Sequence, residues 1–165
     1  MSRRPLWASK EDNGMSKHMR APQAAFAGSQ QEFSKDFYVY QSEITTIAPG
    51  ANASDNINIQ ADSDFILYKL SFFATDDASV QPITDANRVL PEVTVQITDT
   101  GSGRQVLDGP LPIPAIFGTG ELPFILPAPR RFAANSTIAL SYSNFTTGTS
   151  TYQLFLAFVG MKVYR

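Results

Sequence analysis

Carboxylates fall in two close pairs, Asp62/Asp64 and Asp76/Asp77. Such a pair can serve as the acid and base of a hydrolase, or supply oxygen ligands to calcium. Neither has the interleaved ligand spacing of an EF-hand loop, and both sit at loop edges, so they read as solvated loop carboxylates. The single histidine, His18, lies in a polar stretch with no strand pattern to hold it, which argues against a Ser-His-Asp site. A metalloenzyme built on a β-sandwich needs several histidines on adjoining strands, and one cannot supply them. Cysteine is absent, so disulfides and thiolate metal sites are excluded. Gly101-Ser102-Gly103 and Gly118-Thr119-Gly120 are only fragments of phosphate-cradling glycine motifs. The expectation is a protein that is not an enzyme, with no cofactor, no metal and no small-molecule substrate.

The elements that would position any site are organised around Gly109–Arg131, GPLPIPAIFGTGELPFILPAPRR. Six of the eleven prolines stand here, at 110, 112, 114, 123, 127 and 129, among large apolar residues. Each proline fixes φ and removes a backbone donor, so the stretch reads as neither helix nor central strand. What remains is extended chain on sheet edges, bent at the glycines. The favoured reading is a crossing between two sheets whose side chains close the core, since clustered apolar residues usually do so. The sharper alternative is a preformed contact surface for another chain, with Leu111, Ile113, Phe117 and Phe124 as contacts.

On either side of this stretch the period is 2. Asp36–Ala48 is aromatic and β-branched and ends at a Pro49-Gly50 turn. Asp55–Gln60 places Ile57 and Ile59 on one face. In Phe65–Thr75, Ile66, Tyr68, Leu70 and Phe72 fall on one side and Phe65, Leu67, Lys69 and Ser71 on the other. Both sides are largely apolar, as in a covered central strand. Asp76–Leu90 reads as a polar loop. Pro91–Asp99 is the cleanest strand, with Val93, Val95 and Ile97 pointing one way, and Thr100–Gly103 is a hairpin turn. Ser136–Ser143 alternates through Ile138, Leu140 and Tyr142, and Tyr152–Tyr164 is nearly continuously apolar. No useful length has a helical period. About eight strands predict an all-β protein, an antiparallel β-sandwich of jelly-roll type, over residues 36–165.

Residues 1–35 differ. They lack any sustained period and mix polar residues with isolated large ones, so they read as an extended N-terminal arm unable to fold alone. Charge divides with them. The arm has six basic and three acidic groups (+3), and the other 130 residues have seven basic and twelve acidic groups (−5). The expected use of the arm is docking on a partner, with Trp7, Met15, Met19 and Phe26 as apolar anchors and Arg3 and Arg4 on acidic rims. A modest +3 beside an acidic domain favours protein over nucleic acid as that partner. No apolar run approaches the roughly 18 residues of a membrane span, and the N-terminus lacks the apolar region of a secretory signal.

The order of an alternating strand, a Gly-hinged hairpin, a proline-rich apolar crossing and an asparagine turn into another strand runs PEVTVQITDTGSGRQVL, LPIPAIFGTGELPFILPAPRRF, ANSTIALSYSNF. This pattern resembles the capsid-auxiliary proteins of tailed bacteriophages, the cement or decoration proteins built as jelly rolls. The resemblance covers residues 36–165 and is one of pattern and composition. It implies a non-enzymatic virion protein, made in the host cytoplasm, that oligomerises and binds the exterior of the shell of major capsid protein. The length of the arm departs from the pattern and keeps open a place at the head–tail neck or in the tail. A carbohydrate-binding β-sandwich is the rival class, but the only Trp lies in the arm rather than on a sheet face.

Overall fold

The structure, a computed structural model, describes residues 34–76, 91–147, 149 and 151–164. Nine strands are present among these: β1 (Lys35–Ile47), β2 (Asn52–Asn58), β3 (Ser63–Asp76), β4 (Val93–Asp99), β5 (Arg104–Gln105), β6 (Leu111–Pro112), β7 (Phe124–Phe132), β8 (Thr137–Asn144) and β9 (Tyr152–Tyr164). One helical turn, α1 (Ile113–Ile116), joins β6 to the approach of β7.

The pairing is that of one long hairpin rolled up. β1 pairs β9, β2 pairs β8, β3 pairs β7 and β4 pairs β5, all antiparallel. Further pairs β3–β9 and β4–β8 close the halves into two sheets, β1-β9-β3-β7 (sheet A) and β2-β8-β4-β5 (sheet B), with β6 also on β4. That nesting is a jelly roll. The all-β antiparallel sandwich expected from the period-2 segments is the fold.

Between the sheets, alternate residues turn inward. β4 contributes Val93, Val95 and Ile97, β8 contributes Ile138, Leu140 and Tyr142, and β9 contributes Leu154, Leu156 and Phe158, all buried. At roughly 1.5–3 kcal/mol per large apolar side chain, this layer drives the assembly. Turns follow their residues. Gly50 and Gly103 take positive φ, and so does Asn135 just before β8. Asp99 organises the β4–β5 turn by accepting from the Gly101 and Ser102 amides and the Ser102 hydroxyl.

Two sequence expectations change. A proline-rich stretch does hold a helical turn, because Pro112 precedes α1 and Pro114 lies in its first turn, where no intrahelical donor is required. The alternation of β3 also shifts phase. Phe65 and Leu67 are buried, but then so are Leu70, Phe72 and Ala74, while Ile66 and Tyr68 are only partly covered. The register slips between Leu67 and Lys69, leaving Tyr68 as an extra residue. Residues 77–90, where the polar loop was expected, lie outside the described residues.

Candidate functional site

The proline-rich stretch crosses between the sheets. It leaves β4 of sheet B at β6, turns through α1 and reaches sheet A at Gly118. There the Phe72 amide donates to the Gly118 carbonyl (2.8 Å) and the Gly118 amide to the Leu70 carbonyl (3.2 Å). A Cβ at Gly118 would lie 2.0 Å from the Leu122 carbonyl oxygen, so only glycine permits this return. β7 then forms the edge of sheet A, where missing proline donors do least harm.

The crossing separates the four apolar residues assigned to it as contacts. Ile113 and Phe117 are buried, Phe117 edge-on to Phe158 at 5.7 Å, and they close the core instead of facing a partner. Turning two such side chains outward would forfeit several kcal/mol of burial. Leu111 and Phe124 stay partly exposed, and the most exposed apolar residues of the stretch are Leu122 (79%) and Ile125 (65%). Arg3, Arg4, Trp7, Met15, Met19 and Phe26 lie outside the described residues, as does His18.

A broader surface is the outer face of sheet A. Cross-strand register puts Phe37, Met161 and Ile66 in one row, Val39, Val159, Lys69 and Ile125 in the next, Gln41, Ala157 and Ser71 in a third, and Glu43, Phe155 and Phe73 in a fourth. Phe37 is 73% exposed, and Val39 and Phe73 are also exposed. Phe73 and Phe155 touch across the strands with centroids 6.1 Å apart. In the sequence β3 and β9 are apolar on both sides and read as covered strands, yet one side alone faces sheet B.

The polar groups that could have carried chemistry are committed to the scaffold. Asp64 is buried, contrary to the solvated reading, because it accepts from Arg131 Nε (2.9 Å) and from the Ala134 amide (2.9 Å). Asp62 is exposed and accepts from the Ser63 hydroxyl. Ser42 resembles a nucleophile in its partners, donating to Asp55 (2.6 Å) and bonding the Tyr142 hydroxyl (2.7 Å), yet it is buried between the sheets away from any substrate. Burial pushes the Tyr142 phenol well above its usual range, against its hydrogen bond with Ser42. Lys162 is buried, donates to the Gln60 side-chain oxygen and sits 4.0 Å above the Tyr38 ring. No group of three or more metal-ligating side chains occurs among the described residues, and no helix among them is long and apolar enough to cross a membrane. No protein-family model matches the chain, and no curated protein matches it in sequence.

Proposed function

We propose that the chain is a non-enzymatic structural protein of a tailed-bacteriophage virion, a cement protein that binds the shell of major capsid protein and stabilises it. The observation that carries this reading is the outer face of sheet A, where Phe37, Val39, Phe73 and Ile125 stand exposed beside the polar Gln41, Glu43 and Lys69. Four strands spaced about 4.8 Å apart, over roughly ten residues each, give this mixed face a footprint of roughly 600 Å². That approaches the roughly 800 Å² each partner gives to a standard interface. Such a face held against the shell would remove Phe37, Val39 and Phe73 from water.

Leu122 on the approach to β7 and Leu111 on β6 are further exposed apolar side chains, suited to contact between copies around a symmetry axis. The basic arm, which ends where β1 begins at Lys35, extends the contact to neighbouring subunits. The aromatic side chains most open to solvent on the described residues are phenylalanines (37, 73, 124 and 145), whereas Tyr40, Tyr142 and Tyr152 are buried. A sugar-binding platform calls for the opposite, so the carbohydrate reading falls behind.

The test is purification of particles with the protein expressed, followed by copy counting and imaging. Many symmetric copies on the shell exterior support the reading. Copies confined to the neck or tail would move the protein there, and complete absence from particles would overturn a virion role.

A further inference from the structure

The sandwich does not close evenly along the side where β5 and β7 face each other. Over Leu126–Pro129, β7 leaves the ladder: four residues oppose the single Tyr68 between the Leu67–Arg130 and Lys69–Ile125 pairs. Pro127 and Pro129 have no amide proton to give to β3, so the strand bows outward there. Behind the bow lies a cavity of about 210 Å³ lined by apolar side chains, among them Leu70, Ile97, Leu107, Ile116 and Phe158. It meets a wider polar cleft of about 480 Å³ at Val106 and Leu126, which line both.

The cleft carries Arg104, Arg130 and Arg131 against Asp99. This is a local excess of positive charge on a domain whose residues 36–165 total −5. Arg131 is held by Asp64. Asp99 lies 3.6 Å from Arg130 Nη2 but already accepts three hydrogen bonds from its own turn. Arg130 Nε is buried and donates to nothing, and Arg104 has no ion-pair partner among the described residues. The unmet buried N–H of Arg130 is unfavourable unless an acceptor completes it, and the exposed Arg104 guanidinium lining the same cleft is a second donor free to meet an anion.

We infer that this is a binding site for a small amphiphilic carboxylate, with its carbon chain in the cavity and its carboxylate at Arg130 and Arg104. A dry cavity of 150 Å³ takes benzene, so about 210 Å³ accommodates a chain of roughly six to eight carbons. Arginine is the suitable partner because its planar fork matches a carboxylate. The site is independent of the capsid reading, and either can fail alone.

The test is calorimetric titration of the full chain with octanoate below its micelle concentration, with octanol and acetate as probes lacking one half of the ligand. Saturable octanoate binding is expected, at least tenfold tighter than octanol, with acetate not binding measurably. Arg104→Gln, an exposed position, and Arg130→Gln should each weaken octanoate about tenfold and leave octanol unchanged. Leu107→Phe should weaken both ligands by filling the cavity. Should that variant fail to fold, the split between octanoate and octanol in the arginine variants still decides. No saturable binding, or octanoate binding indifferent to both arginine substitutions, overturns the assignment.

Discussion

Leu67 and Lys69 stand two residues apart on β3 yet point to opposite faces of sheet A. Leu67 pairs Gly160 and is buried, whereas Lys69 pairs Val159, the next residue of β9, and is exposed. Tyr68 is the extra residue that makes this possible, and it keeps both halves of a 14-residue strand facing the core. Gly160 is part of the same device, since a Cβ there would meet the Ile66 carbonyl oxygen at 2.1 Å.

Deleting Tyr68 should therefore be tolerated, whereas adding a residue elsewhere on the strand should not. Without Tyr68, Phe65, Leu67, Leu70, Phe72 and Ala74 alternate without interruption, all stay inward, and the pairing with β9 becomes regular. An alanine inserted between Leu70 and Ser71, where the ladder is regular, turns Phe72 and Ala74 outward or else drags Phe65, Leu67 and Leu70 out. The deletion variant should keep a cooperative thermal transition by circular dichroism, and the insertion variant should lose it. A deletion variant with no cooperative transition would mean that β3 needs the bulge itself.

The Asp64–Arg131 pair looks like the main stabiliser of the β3–β7 end, but magnitudes say otherwise. The Arg131 side chain is 62% exposed, so the pair itself is worth at most about 1 kcal/mol. Asp64 also accepts from the Ala134 amide, and leaving such a half-buried donor unmet costs about 1–2 kcal/mol. Asp64→Ala should thus lower stability by roughly 2–3 kcal/mol, and Arg131→Ala by about 1 kcal/mol or less. Urea unfolding midpoints of the two variants check the order.

Fold and site differed in how far the sequence revealed them. Where one face of a strand is polar, as in β4 with Thr94, Gln96 and Thr98, alternation specifies which way each side chain points, and the structure agrees. Where both faces are apolar, as in β3, alternation carries no phase, and the Tyr68 bulge leaves no mark in composition. The same ambiguity hid the outer face of sheet A. Apolar residues on both sides suggested cover, yet the topology provides a second sheet on one side only. Within the crossing, Ile113 and Phe124 look alike in sequence, and only the path through α1 and Gly118 buries one and partly exposes the other.

Alkaline pH should unfold the sandwich through its buried phenols. Burial raises the pKa of Tyr142, and that of Tyr40 against a hydrogen bond from the Gln60 amide. In the unfolded chain both titrate near 10. The folded state therefore holds these protons more tightly, and their contribution is intact below about pH 10 and is lost as pH rises above it. Stability measured by urea unfolding should be flat from pH 7 to 9 and fall steeply beyond 10. Tyr142→Phe should cost about 1 kcal/mol at neutral pH through the lost hydrogen bond to Ser42, and its alkaline fall should be shallower than the parent's. A parallel fall in both proteins would show that Tyr142 is not the responsible group.

The outer face and the arm make separable contributions if the capsid reading holds. Phe37→Glu and Phe73→Glu change exposed positions on sheet A and should leave the melting temperature within a few degrees of the parent. Both should reduce retention on particles by tenfold or more, since each puts a charge into a desolvated contact. Deleting residues 1–33 removes an arm that could span roughly 100 Å when extended at about 3.3 Å per residue. Ordering it costs on the order of 1 kcal/mol per residue, so several anchors must bind together to offset that. The truncated protein should still fold and bind, but more weakly. Trp7→Ala should weaken retention at any salt, whereas Arg3→Ala with Arg4→Ala should matter mainly at low ionic strength. Retention unchanged by the face substitutions but abolished by truncation would make the arm the sole docking element and leave the outer face of sheet A without a role on the shell.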